Sequence, residues 1–153
     1  MYELVKGAIS HEFCDYIRNT YKQHGQLNKR AKWAKGNAYT QFNDDYTKVI
    51  IDQFSGYIPK DYIHNWIAIA CYETGDNLDL HGDNYSLRTI MCDISEYYEG
   101  GNFMIRSNHS VPTNKGDVIL LNGYEVKHGV DYITNGTRYS LNIWSRPKEE
   151  SKI

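Results

Sequence analysis

The chain has 153 residues, 41% apolar and 24% charged, enough for one domain with a real core and too few for two. A net charge of −2 and a pI near 6.3 lack the basic footprint that nucleic-acid binding uses, so no nucleic-acid partner is expected. There is no run of about 18 apolar residues to span a membrane, no apolar leader in MYELVKGAIS, and no CxxC spacing among Cys14, Cys71 and Cys92, so a soluble, cytoplasmic protein with buried thiols is expected.

Ser10 is a candidate N-cap, and Phe13, Ile17 and Tyr21, with Cys14 beside them, recur at helical spacing until Gly25 closes the segment. Residues 22–35 gather Lys29, Arg30, Lys32 and Lys35 around Trp33, a pattern that fits a solvated loop better than a ligand grip. A second helix is predicted from Asp44 or Asp45, burying Val49, Ile50 and Phe54 and stopping at Gly56 ahead of Pro59. From Asn65 onward the pattern changes to short strands: WIAIACYE, LRTIMCDI, NFMIRS, DVILL, VKHGVDYI and RYSLNIW, divided by Gly, Asn and Pro. The expected fold is mainly β, a sandwich or jelly roll, with a helical front over about 1–60 packed on one sheet and a β core over about 64–146.

Within that core, "DLHGDN" sets His81 and Asp83 one residue apart. In an extended strand the two would stand on one surface, about 6.6 Å apart along the backbone, a workable bite for a metal ion. Taken alone, His-x-Asp is more often a polar turn. A three-residue loop at Thr134, Asn135 and Gly136, with Gly136 left-handed, would pair Tyr132 with Arg138, Val130 with Ser140 and His128 with Asn142. His128, Arg138, Ser140 and Asn142 would then share one face, while Tyr139, Leu141 and Ile143 turn toward the helices.

An arginine turned into a barrel needs an anion, and its planar fork suits a carboxylate. The nearby carboxylate, Asp83, would already hold the metal, so an external carboxylate ligand is expected. Two histidines and one carboxylate on one side of a metal leave three positions open, the pattern of non-haem Fe(II) oxygenases, although zinc with a water is not excluded by ligand type.

The stretches "IACYETGDNLDLHGDN", "EGGNF", "NKGDVILLN" and "KHGVDYITNGTRYSLNIW" resemble the Fe(II)- and 2-oxoglutarate-dependent dioxygenases, closest to their prolyl 4-hydroxylase branch, over about half the chain from Trp66 to Trp144. The resemblance implies a double-stranded β-helix, the cupin-like jelly roll. It implies His81, Asp83 and His128 as iron ligands, and Arg138, Tyr72 and Ser140 around the distal carboxylate of 2-oxoglutarate. It also implies ascorbate as reductant and a peptide or protein substrate hydroxylated at a prolyl residue. A small-molecule oxygenase and a non-catalytic metal-binding barrel are the alternatives.

The chain departs from the family where several relatives carry a tyrosine on the strand after the His-x-Asp motif, since Asp93 stands there. A buried carboxylate beside a bound dianion would repel it, so Asp93 is expected to face away or to pair with a cation. Substrate choice is assigned to rim loops, about 26–40 and 76–79. His109, His11 and His24 are expected at the surface, and His64 is a possible rim residue. Tyr97, Tyr98 and Glu99 fit a tyrosine-rich turn on the sheet better than a substrate rim.

Overall fold

The computed structural model describes residues 2–24, 37–40, 42–84 and 86–148. The basic cluster around Trp33, the helix stop at Gly25 and most of the proposed 26–40 rim lie outside the described residues. The front of the chain gives β1 (Tyr2–Val5), α1 (His11–His24), β2 (Asn37–Tyr39) and α2 (Asp44–Phe54), which runs on into a 3-10 turn at Ser55–Tyr57. The core follows with β3 (Tyr62–Tyr72), β4 (Leu78–His81), β5 (Arg88–Asp93), β6 (Tyr98–Gly100), β7 (Phe103–Ile105) and β8 (His109–Val111). It closes with β9 (Val118–Leu121), β10 (His128–Val130), β11 (Ile133–Gly136) and β12 (Arg138–Pro147). No helix among the described residues is long and apolar enough to cross a membrane.

Both helices start where their caps allow. The Ser10 hydroxyl accepts the Phe13 N–H at 3.1 Å, as its position predicts. The Asn43 side chain accepts the Tyr46 N–H at 2.8 Å and fixes the start of α2 at Asp44. Ile50 and Phe54, one turn apart, are buried, whereas Val49 is 41% exposed and not buried as expected. The buried stripe of α2 runs through Tyr46, Ile50 and Phe54, at i, i+4 and i+8, and Val49 lies off it.

The strands form a six-stranded antiparallel sheet in the order β1-β9-β5-β12-β3-β2, a four-stranded sheet in the order β4-β10-β7-β8, and a two-stranded β11-β6 pair. The front is therefore not purely helical, because β1 and β2 complete the edges of the large sheet. Its outer face carries Ile67, Ile69, Cys71, Ile90, Cys92, Val118, Leu120, Leu141 and Ile143 against Cys14, Ile17 and Tyr21 of α1 and Ile50 and Phe54 of α2. Its inner face carries Ala70, Tyr72, Met91, Ile119 and Leu121 against Phe103, Ile105, Val111 and Val130. Two facing antiparallel sheets linked by crossing strands make the expected double-stranded β-helix.

The hairpin expected at the end of the chain does not form. His128 pairs with His81 and Ile105, β11 pairs with β6, and β12 pairs with β3 and β5, so His128 has no register with Asn142. Gly136 does take the left-handed conformation, φ 79°, where a Cβ would stand 2.7 Å from the Tyr97 carbonyl oxygen. The turn carries the chain from the small β11-β6 pair across to the large sheet instead of folding it back on β10. The shared face of Arg138, Ser140 and Asn142 survives the correction, because strand alternation alone fixes it.

Phe54 is fully buried between helix and sheet. Phe54→Ala is expected to cost about 3–5 kcal/mol, read as a lower urea midpoint with an unchanged denaturant slope.

Candidate metal centre and anion pocket

His81 ends β4 and His128 begins β10, and the two are direct cross-strand partners with ring centroids 4.6 Å apart. Asp83 lies beyond the end of β4, so strand alternation does not place it beside His81 as expected. Its N–H donates to the Gly123 carbonyl at 2.7 Å, and this loop contact brings its carboxylate back over the imidazoles. The Nε2 atoms of His81 and His128 each stand 3.2 Å from Asp83 Oδ1, and the three ligand atoms lie within 4.8 Å of one another.

Backbone carbonyls set the orientation of both rings. His81 Nδ1 lies 2.8 Å from the Asp79 carbonyl oxygen, and His128 Nδ1 lies 2.8 Å from that of Val126. A carbonyl can only accept, so each Nδ1 carries a hydrogen, and Nε2 is the atom each ring turns to Asp83: with a proton there it donates to the carboxylate, and without one its lone pair is available to a metal. Phe103 stacks on His128 at 5.7 Å. Asp83 Oδ2 accepts from the Thr89 hydroxyl at 2.7 Å, and Thr89 is held by Ser86 at 2.8 Å, which leaves Oδ1 for the centre. Gly123 is required here, since a Cβ would collide with Asp83 Oδ2 and Thr89 Oγ1.

The electrostatics follow this geometry. Burial pushes the Asp83 carboxyl up, but hydrogen bonds from His128, His81 and Thr89 outweigh it and hold the group well below the usual carboxylate range. Burial opposes charge on His81, yet its bond to Asp83 prevails and raises its pKa. Asp83 and His128 are buried while His81 is partly exposed, so the centre opens on the His81 side. Two imidazoles and an ionised carboxylate on one side fit a six-coordinate divalent metal with three open positions.

Arg138 lies on the inner face of the large sheet and is 1% exposed. Its guanidinium lies over the Tyr72 ring, 5.9 Å from the centroid, and Nη2 reaches Met91 Sδ at 3.6 Å. Nε has no acceptor, and Arg138 makes no ion pair among the described residues. A buried guanidinium without a carboxylate is costly, so the pocket is built for an anion. Tyr72 pairs directly with Arg138, and burial pushes its phenol up to about 12, against the pull of Arg138, which keeps it a neutral donor. Ser140 follows on the same face and accepts from Asn142 Nδ2 at 3.0 Å. The structure thus brings His81, Asp83 and His128 together at one point, and Tyr72, Arg138 and Ser140 together on the inner face of the large sheet.

Asp93 neither faces away nor pairs with a cation. It stands opposite Ser140 on the inner face, fully buried, and hydroxyls take the place of the expected cation. Asp93 Oδ2 accepts from Tyr98 at 2.7 Å and Thr113 at 2.6 Å, and Oδ1 accepts the Ser95 N–H at 2.9 Å. Sequence reasoning missed Ser86, Thr89, Thr113 and Gly123, whose roles come from long-range packing with no local signature. His11, His64 and His109 are exposed, and His109 meets the Tyr2 hydroxyl at 2.8 Å. Tyr97 is exposed while Tyr98 turns inward. In the 76–79 segment the Asn77 amide donates to Asp79 at 2.9 Å, and Asp79 faces solvent.

No protein-family model matches the chain, and no curated protein does. Solved structures do. The collagen prolyl hydroxylase of Paramecium bursaria Chlorella virus-1, in complex with 2OG, is 18% identical with a TM-score of 0.71, over 95% of this chain and 96% of that one. A prolyl hydroxylase from Trichoplax adhaerens, in complex with a peptide of hypoxia inducible factor, is 13% identical with a TM-score of 0.75, over 99% and 86%. HygX from Streptomyces hygroscopicus, with nickel and 2-oxoglutarate bound, is 14% identical with a TM-score of 0.75, over 96% and 83%, and has also been solved with hygromycin B. At these identities the likeness is one of fold, and the chain has the fold shared by prolyl hydroxylases and other 2OG-Fe(II) oxygenases.

Proposed function

We propose that the chain is a single-domain Fe(II)- and 2-oxoglutarate-dependent dioxygenase that hydroxylates a prolyl residue in a peptide or protein, with ascorbate as reductant. The observation that carries this reading is the presence, in one double-stranded β-helix, of a three-ligand cluster and of a buried, inward-facing guanidinium that makes no ion pair among the described residues. His81, Asp83 and His128 hold the metal. Arg138, with Tyr72 and Ser140 beside it, holds the far carboxylate of the cosubstrate.

Bound Fe(II) and 2-oxoglutarate would supply the oxidising chemistry with dioxygen as oxidant, one oxygen atom going into succinate as the acid loses CO2 and the other into a substrate C–H bond. The chain's own residues bind and orient. Thr89 fixes the carboxylate, the Asp79 and Val126 carbonyls fix the imidazoles, and the apolar inner face formed by Met91, Phe103, Ile119 and Val130 excludes water. No side chain is required as a general acid or base.

Prolyl specificity is supported by the resemblance in the motif region and by the peptide-bound Trichoplax enzyme. A second reading, a small-molecule oxygenase, is supported by HygX, which has the same fold and binds hygromycin B. Succinate release should be measured with Fe(II), ascorbate and 2-oxoglutarate, with and without proline-rich peptides, together with a mass gain of one oxygen on the peptide. Succinate with peptide supports the first reading and succinate with a metabolite supports the second. None under any condition sinks both and leaves a metal-binding barrel.

Two variants probe the assigned roles. Arg138→Ala is expected to raise the 2-oxoglutarate requirement about a hundredfold or more, because the distal carboxylate loses its buried partner; unchanged kinetics would refute the role. Thr89→Val is expected to lower Mn(II) affinity about 10–100-fold in calorimetry, since Asp83 loses the donor that orients it. Equal affinity in that variant would show that Asp83 needs no such support.

A further inference from the structure

Asp93 is a buried acidic residue on the inner face of the large sheet that neither the metal centre nor the anion pocket uses. It stands opposite Ser140 across the β5–β12 pair, so Arg138, two residues along β12, is its diagonal neighbour at about 7–8 Å. Tyr98 joins them. A Cβ on Gly101 would lie 3.3 Å from both Arg138 Cδ and Tyr98 Cδ2, so the arginine stem and the phenol ring flank the same glycine. The Tyr98 hydroxyl then donates to Asp93 Oδ2 at 2.7 Å.

Thr113 donates to the same oxygen at 2.6 Å and the Ser95 N–H to the other at 2.9 Å. Both oxygens of Asp93 are thus occupied by hydrogen-bond partners within the protein. No Arg138–Asp93 ion pair forms among the described residues. Asp93 therefore does not occupy the guanidinium fork. An anion that enters the fork meets Arg138 in contact, with Asp93 at the diagonal position on the same sheet face.

We propose that Asp93 is a specificity-determining residue of the cosubstrate pocket: its fixed negative charge opposes the distal carboxylate of a 2-oxo diacid and narrows the preference for diacids over 2-oxo monoacids. The inference rests on the cosubstrate reading above. Only the diacid brings a second carboxylate to Arg138, so the difference between the two acids reads the charge of Asp93. A purely structural role for the Tyr98–Thr113–Asp93 network would affect both acids equally.

The test is calorimetric titration of the full-length, Mn(II)-loaded protein with 2-oxoglutarate and with 2-oxopentanoate, which keeps the chelating end and chain length but lacks the distal carboxylate. Asp93→Asn is expected to bind 2-oxoglutarate on the order of tenfold tighter, with 2-oxopentanoate unchanged. Thr113→Val keeps the charge but removes a donor that spreads it; it should weaken 2-oxoglutarate several-fold without moving the monoacid, and it stands in if Asp93→Asn does not fold. Parallel shifts for the two acids, or diacid binding that is unchanged or weaker in Asp93→Asn, overturn the proposal. Wild-type protein that binds neither acid overturns the cosubstrate reading and this inference with it. Binding of both acids, indifferent to Asp93→Asn, overturns this inference alone.

Discussion

Strand β12 is interior to the six-stranded sheet, hydrogen-bonded to β5 on one side and β3 on the other, so alternation along it is fixed by two neighbours at once. Leu141 and Ile143 go to the helices, and Arg138, Ser140 and Asn142 go into the cavity. A slip of one residue would exchange the faces, burying Arg138 among Ile17, Ile50 and Phe54 and placing Leu141 and Ile143 over the metal ligands. The apolar contacts that stabilise the outer layer therefore also aim the guanidinium. Fold stability and ligand binding share one register.

The same constraint explains what was legible in the sequence. RYSLNIW announces its alternation directly, so the inner face of Arg138 and Ser140 and the outer face of Leu141 and Ile143 could be read without knowing any partner strand. The pairing itself could not. The Gly136 turn looked like a hairpin because the local signal for a left-handed glycine is the same whether the chain folds back or crosses between sheets; the choice is made by β6, which claims β11 through Tyr98 and Gly100. His81 and Asp83 were recognisable as a pair, but for a reason that holds only for His81. The carboxylate is placed by the Gly123 carbonyl, about forty residues on, which no local spacing encodes. Val49 was misassigned because three adjacent apolar residues, Val49, Ile50 and Ile51, blur the phase of a short helix, and only packing against the sheet selects Ile50.

The metal centre shows how little of a binding site need consist of ligands. Each imidazole is held through Nδ1 by a main-chain carbonyl, and main-chain groups cannot rotate away without breaking the loop that carries them. The carboxylate is held through its second oxygen by a hydroxyl that is itself hydrogen-bonded, Ser86 to Thr89 to Asp83. The donor atoms are thereby gathered before any ion arrives, and the Gly123 backbone approaches the carboxylate closely because nothing larger than hydrogen fits there. A cluster gathered in this way would lose little conformational freedom on taking up a divalent ion.

The helical layer reaches the pocket through the end of β5. Arg18 of α1 donates to the Ile94 carbonyl at 2.6 Å and to Asp15 and Glu96 at 2.7 Å each, tying the helix to the residues just after Asp93. The Asp93 main chain is held in turn, with its N–H on the Asp117 carbonyl at 3.0 Å and its carbonyl accepting from Gly116 at 2.8 Å. Asp117 takes the Gly7 N–H at 2.9 Å, so the link between β1 and α1 joins the same network. The contacts behind β5 thus fix the backbone that carries Asp93, so the front of the chain, remote from His81, Asp83 and His128 in sequence, helps to shape the inner face of the large sheet as well as its outer layer.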